Sequence, residues 1–351
     1  SNRDSGPLTF QDAIHNQVRT SLSTLEGAHE LRGELKQYQR GFFSTMQERA
    51  AKADFQAWVI GDDNDPARAE ALLDLFDRHQ VEYQALDGEV KVDGHTFSPG
   101  HAWVVPTQQR QFGVAQAMLE TRTKFEDNTF YDVSAWNLAM AYNLPFAELD
   151  RMPATTQAGD FGAVEGPDPD AGAWIISWQQ MNAPVVLQKL LDAGARVRAA
   201  TKPFSMGSGP DATSFSEGSL VVLNGIQDSE NTGAILEVLR DAADSDVSVH
   251  SFDTQITSSG PGLGTSVFQV IPEVKPLLIV GDGTRAYDAG EAWFQLDRRL
   301  GIAPVMVNIS RFKGLKLHDY THLLMVDGSY SAIGKELKSR IATWVKDGGI
   351  L

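Results

Sequence analysis

The stretch Phe55-Gln56-Ala57-Trp58-Val59-Ile60-Gly61-Asp62-Asp63-Asn64-Asp65-Pro66 opens a pattern of strand, helix, strand and helix that runs to Leu119 and decides the fold. Ala57-Trp58-Val59-Ile60 is an apolar run of strand length, and Gly61-Asp62-Asp63-Asn64 breaks it. At Asp65-Pro66 the chain restarts as a helix, since Asp can cap and Pro suits the first helical position. A second apolar run, Trp103-Val104-Val105, follows the phrase Thr96-Phe97-Ser98-Pro99-Gly100. That phrase returns as Ser214-Phe215-Ser216-Glu217-Gly218 ahead of the run Leu220 to Leu223, at an offset of 118. The opening strand returns as Ala173-Trp174-Ile175-Ile176, at an offset of 116. A nearly constant offset over this distance marks a duplicated supersecondary unit.

The expected fold is therefore α/β, with three Rossmann-like or flavodoxin-like modules, mainly parallel sheets and a helical segment in front. The expected organisation is a helical lead-in over 1–53, a first module over 54–150, a linker over 151–171 and a second module over 172–272 that repeats the first. A third, incomplete module follows over 273–351. The lead-in carries Ala28, Leu31, Leu35, Tyr38, Phe42 and Met46 three or four residues apart, a stripe expected to pack against the rest of the chain. Glu89 to Val92 with Asp93-Gly94 predicts a short hairpin, and the aromatic segment 130–138 a short helix closing the first module. In the linker, Pro, Gly, Ala and Asp dominate and cannot bury enough surface for a core. In the third module Asp288 with Glu291 predicts a capping box, and Leu277 to Val280, Pro304 to Asn308 and His322 to Val326 predict one parallel sheet. Ile350-Leu351 reads as the start of a further strand.

Composition narrows the function. The 351 residues, 42% hydrophobic and 22% charged, suffice for two or three globular domains. A formal charge of -16 argues against a nucleic-acid partner, which needs a concentrated basic surface. No run approaches the ~20 apolar residues of a membrane span, and the lead-in's polar face is not the basic face of a membrane-surface helix. The Ser1-Asn2 start has the look of a trimmed chain, which leaves an earlier targeting segment open. With no cysteine there are no disulfides, thiolate zinc ligands or cysteine nucleophiles.

The candidate chemistry is sparse. His318 and His322 are four apart, but their flanks predict a loop entering a strand, not one helix face. His79 and Glu82 have a His-x-x-Glu spacing with only the distant His250 as a third ligand, so no metal is expected in this chain. Gly281-Asp282-Gly283-Thr284 lies between a strand and a helix, where amides can receive a ligand. A third glycine of the dinucleotide fingerprint is missing, and Asp282 would repel a phosphate. Ser329 in Asp327-Gly328-Ser329-Tyr330-Ser331 follows a strand, without the flanks of a nucleophile elbow.

The runs Gln17 to Leu25, Phe97-Ser98-Pro99-Gly100 with Val104-Val105-Pro106, and Phe130 to Trp136 resemble the portion of large bacterial zinc carboxypeptidases that lies C-terminal to their catalytic domain. Ser259 to Gly264 followed by Tyr287 to Trp293 is similar to the same proteins where they enter a class I glutamine amidotransferase-like domain. The resemblance implies a non-catalytic accessory region of a periplasmic or secreted peptidase. Its partner would be its own peptidase domain, and zinc would belong to that domain's His-x-x-Glu pair and later His. No convincing zinc set occurs here, and the amidotransferase cysteine is missing, so the chain is expected to be inactive alone. Two other readings stay open. One is a free-standing protein that clasps a peptide or small molecule between its modules through Asp62, Asn64, Trp178 and Gln179. The other is a cysteine-less amidotransferase-like hydrolase using Ser329.

Overall fold

The computed structural model describes residues 2–3, 6–7, 9–121, 137–157, 166–209, 212–331 and 333–351. It divides into two units, Ser1–Asp63 with Ala69–Asp160, and Asn64–Arg68 with Phe161–Leu351. It is a mixed α/β chain with several separate sheets.

In the first unit, β1 (Asn2–Arg3) and β2 (Gly6–Pro7) pair antiparallel ahead of α1 (Phe10–Glu30), which α2 (Arg32–Ala50) continues beyond Leu31. Thr9 starts the helix with a capping box: its hydroxyl accepts from the Asp12 amide, and its own amide donates to the Asp12 carboxylate. Met46 and Ala50, in the last turns, are buried, and Arg49 donates to Gln116 on α4 (Phe112–Leu119) at 2.7 Å. The stripe above Met46 does not pack as expected, since Leu31, Leu35, Tyr38 and Phe42 are exposed. The reason is length: at ~1.5 Å per residue the two helices run about 60 Å, twice the width of a small domain, and it is their C-terminal end that packs on α4.

The first sheet is built from β3 (Ala57–Gly61), β4 (Gln84–Leu86), β7 (Ala102–Pro106), β8 (Phe146–Leu149) and β9 (Thr155–Thr156), in the order β8-β3-β7-β4-β9. Helix α3 (Pro66–His79) joins β3 to β4, and the Asp65 side chain accepts from the Arg68 amide as its cap. The hairpin β5 (Val90–Val92) and β6 (His95–Phe97) turns at Asp93 and Gly94, both in the left-handed region as a type I′ turn requires. Helix α5 (Leu138–Ala141), capped by Asn137, leads into β8. The aromatic segment 130–136 and part of the linker, 158–165, lie outside the described residues.

The second sheet comprises β10 (Ala173–Ile176), β11 (Val197–Ala200), β14 (Leu220–Leu223), β15 (His250–Phe252) and β16 (Phe268–Val270), in the order β15-β10-β14-β11-β16. Its hairpin is β12 (Phe204–Met206) with β13 (Thr213–Phe215), and its helices are α6 (Ala183–Asp192) and α7 (Thr232–Asp241). Taken strand for strand in chain order, the two sheets have one topology. The register agrees as well: Trp58 lies opposite Val105 and Trp174 opposite Val222. In both repeats the hairpin covers one sheet face. In the first, Phe97 with Val90 and Val92 meets Ala57, Val59 and Val104; in the second, Phe204, Met206 and Phe215 meet Ala173, Ile175 and Val221. The opposite face of the second sheet, Trp174, Ile176 and Val222, buries against Val186 and Leu190 of α6 and Ile235 and Leu239 of α7.

The expectation of mainly parallel sheets is corrected here, because every pairing in these two sheets is antiparallel. The helix crossover does return β4 in the direction of β3, since both run opposite to β7. The hairpin then reverses the chain, and β7 enters between the two strands from the other end. Strand adjacency was set by that insertion, which periodicity does not register.

The third sheet is parallel. Strands β17 (Pro276–Val280), β18 (Val305–Asn308) and β19 (His322–Leu324) stand in the order β18-β17-β19, and Ile350 begins a parallel pairing beside His322. Helix α9 (Lys335–Lys346) covers one face through Leu337, Ile341 and Trp344. Helix α8 (Ala286–Trp293), continued by a π-helical turn over Phe294–Arg299, contributes the buried Ala289. Asp288 does not cap it, as the helix starts two residues earlier with Arg285 at the cap position. Inside the first turn Asp288 instead faces the positive end of the helix dipole.

Candidate functional site

The ends of the first strands were expected to meet a ligand, and the structure shows what their side chains do. After β3, Asp63 accepts a hydrogen bond from the Ser98 hydroxyl at 2.9 Å. After β10, the Gln179 amide donates to the Ser216 hydroxyl at 3.3 Å. Ser98 and Ser216 are the serines of the repeated phrase, and each begins a turn whose i+2 residue is a left-handed glycine, Gly100 (φ +83) and Gly218 (φ +87). The closing bonds run from His101 to Ser98 and from Ser219 to Ser216. These are type II turns. The loop after the first strand is thus tethered to the same turn in both repeats. The Trp178 indole lies over the second turn, against Gly218. Gln180, buried, binds both backbone groups of Ser248.

The four residues singled out for a cleft are distributed as follows. Asp62, half-buried, belongs to the first unit, while Asn64, Trp178 and Gln179 belong to the second. Within the second unit the Asp65 carboxylate accepts from the Met181 amide at 2.8 Å, and Arg68 donates to the Gln179 carbonyl at 2.9 Å.

Asp282 and Ser329 are brought into adjoining loops at the C-terminal end of the parallel sheet. Because β18 and β19 flank β17 on opposite sides, the loops after β17 and β19 meet where the strand order reverses, the position at which open α/β sheets take ligands. The loops are zipped together: Ser329 N–H donates to the Gly283 carbonyl at 2.7 Å and Arg285 N–H to the Asp327 carbonyl at 2.9 Å. The Arg285 guanidinium also pairs with the Asp327 carboxylate at 3.2 Å. Glycine at 283 permits this approach, since a Cβ there would stand 2.6 Å from the Ser329 carbonyl oxygen. Asn308 at the end of β18 is turned back onto Ser310. The two loop ends therefore present Asp282 and Ser329, both exposed, beside the ion-paired Arg285 and Asp327. The Ser329 hydroxyl donates to Ser331 at 3.4 Å, a hydroxyl partner that cannot take its proton as an imidazole would.

Two histidines, His250 and His322, are partly buried at the strands they stand on. His250 on β15 stands edge-on to Phe215, 5.2 Å between ring centroids, and burial pulls its pKa below the usual histidine value. His322 on β19 is lowered for the same reason, and its Nδ1 bonds the Thr321 hydroxyl. His318 lies in a separate short helical turn, Leu317–Asp319. Among the described residues no group of three or more His, Cys, Asp or Glu is placed to hold a metal.

One groove escaped the sequence reading. About 800 Å³ in volume, it lies beside β4 and β9, lined by Asp77, Glu82, Tyr83, Gln84, Thr155 and Thr156. Burial, then the Asp77 carboxylate that accepts its hydroxyl proton at 3.3 Å, raise the pKa of Tyr83. No local pattern announces this groove, because its walls come from segments more than seventy residues apart. No known family model, curated protein or solved structure matches this chain.

Proposed function

We propose that the chain is a non-catalytic accessory region of an exported, periplasmic or secreted, bacterial zinc carboxypeptidase. Its duplicated modules act as a scaffold, and its third module offers a ligand crevice at Asp282 and Ser329. The observation that carries the reading is the pair of tethers, Asp63 with Ser98 and Gln179 with Ser216. They hold the loops at the strand ends of both repeats closed onto their own turns, an arrangement suited to rigidity. The parallel order β18-β17-β19, with Ile350 starting a fourth position beside β19, supports an amidotransferase-like, flavodoxin-like third module. The partner in this reading is the chain's own peptidase domain, and the ligand at the crevice is a peptide or small polar molecule.

Two measurements test it. Sequencing the gene on the 5′ side of this segment is expected to reveal a domain with a His-x-x-Glu pair and a later His, and its absence would sink the reading. The purified chain, supplied with zinc, is expected to release no C-terminal residue from peptides. Release that survives Ser329→Ala, His79→Ala and Glu82→Ala would place catalysis elsewhere in the chain, whereas loss with Ser329→Ala alone would favour the cysteine-less hydrolase.

A further inference from the structure

We infer that the open edge of β4 beside Tyr83 takes a short, basic, extended segment of a partner protein as an added strand. The second repeat shows what such an edge receives. Ala85 and Ala199 hold equivalent places: each lies opposite the middle strand at Trp103 or Leu220, and opposite the edge strand at Thr156 or Gln269. Two residues earlier stand Tyr83 and Val197. In the second repeat the edge strand runs on past that point, with Val270 opposite Arg198 and Ile271 N–H donating to the Val197 carbonyl at 2.9 Å. In the first repeat β9 ends at Thr156, and the Tyr83 carbonyl receives no donor among the described residues. The match is close, because Gln109 grips both backbone groups of Glu82 at 2.8 and 3.1 Å as Gln227 grips those of Arg196 at 2.8 and 3.2 Å. The groove of about 800 Å³ beside β4 and β9 is thus the room that Val270 and Ile271 fill in the other copy.

An unpaired strand edge binds an extended chain through its backbone groups, and the side chains along its rim choose among sequences. The rim here is acidic. Asp77 and Glu82 line the groove, no Lys or Arg lines it, and neither carboxylate forms an ion pair among the described residues. Glu82 and Gln84 stand where the closed copy has Arg196 and Arg198. In the register of Ile271, the incoming residue opposite Tyr83 shares its face, where the Tyr83 hydroxyl donates to Asp77 at 3.3 Å. Its neighbours fall on the face of Glu82 and Gln84, because side chains alternate across a strand. Two consecutive basic residues therefore meet one carboxylate each. From Gln84 back to Val81 the edge spans about 13 Å at ~3.3 Å per residue, which accommodates a short stretch of the partner. The groove belongs to the first unit, and its occupant is independent of the carboxypeptidase reading.

The test uses the whole chain and a fluorescein-labelled, end-blocked peptide, Thr-Val-Lys-Arg-Val-Thr, followed by fluorescence polarisation. Saturable binding is expected. It should weaken about tenfold for the peptide Thr-Val-Glu-Glu-Val-Thr, and about tenfold for Asp77→Asn combined with Glu82→Gln, as two partly solvated ion pairs are lost. An N-methyl group on the Lys amide removes the donor to the Tyr83 carbonyl and keeps the charge, and it too is expected to cost about tenfold. No saturation up to roughly 1 mM, equal affinity for the acidic peptide, or a double variant that binds like the parent would each overturn the inference. An N-methylated peptide that binds as well as its parent would also overturn it, leaving only attraction between a basic peptide and an acidic protein. Replacing residues 158–165 by a Gly-Ser stretch of equal length is expected to leave the affinity unchanged. A gain of about tenfold would give the edge to the chain's own segment and overturn the partner as its occupant.

Discussion

Phe97 and Phe215 hold the same place in two copies of one fold: each ends a hairpin strand, lies opposite that hairpin's first residue, Val90 or Phe204, and is buried against the sheet. Each is expected to be costly to truncate, by about 3–5 kcal/mol for Phe→Ala in a core. Phe215→Ala should cost more than Phe97→Ala, because Phe215 also meets the rings of Phe204, His250 and Phe252. Urea midpoints of the two variants would show it, and equal losses would remove the ring cluster from the explanation.

The two turns that follow differ in one measurable way. Gly100 faces open space, so Gly100→Ala should cost only the strain of a positive φ, about 1–2 kcal/mol. Gly218→Ala should cost more, since its Cβ would stand 3.1–3.2 Å from Trp178. In a Trp178→Ala background the excess should vanish, which a double-mutant cycle measures directly.

Ser219 offers a stabilising change. Its hydroxyl is buried with no hydrogen-bond partner among the described residues. The equivalent position in the first repeat is Ala102, since Trp103 and Leu220 both lie opposite the third residue after the strand's opening alanine, Ile60 or Ile176. Ser219→Ala is expected to raise stability by about 1 kcal/mol, having removed a desolvated group that forms no bond. A lower unfolding midpoint would show that the hydroxyl is satisfied.

Stability should fall on acidification near the histidine range. His250 and His322 have folded pKa values below the unfolded value of ~6.5, so between the two the unfolded chain binds more protons than the folded one. Their contribution is complete above ~6.5 and is lost as pH falls below it. Melting temperature is expected to drop from pH 7 to pH 5, and the slope should flatten in a His250→Phe variant. An unchanged slope would assign the acid sensitivity to other groups.

Much of the architecture is legible in local residue chemistry. The Phe-Ser-x-Gly phrase encodes a type II turn wherever it occurs, because only the glycine accepts the positive φ at its third position. Asp93-Gly94 and Gly194 likewise announce a type I′ turn and a helix end through backbone conformation alone. The three apolar runs of the third module announced a parallel sheet, since their connections are long enough for crossovers. What the tertiary structure alone decided are relations between distant segments. The insertion of β7 between β3 and β4 depends on which strand end the hairpin delivers, and alternation within a strand is the same for either neighbour. Gln179 stands directly after a strand in the sequence, and only the fold brings its side chain to Ser216, 37 residues on. The stripe of α1 and α2 shows the same limit: a 3.6-residue period reports that one face is apolar, while whether that face meets its own chain depends on how far the helix extends beyond the module it joins.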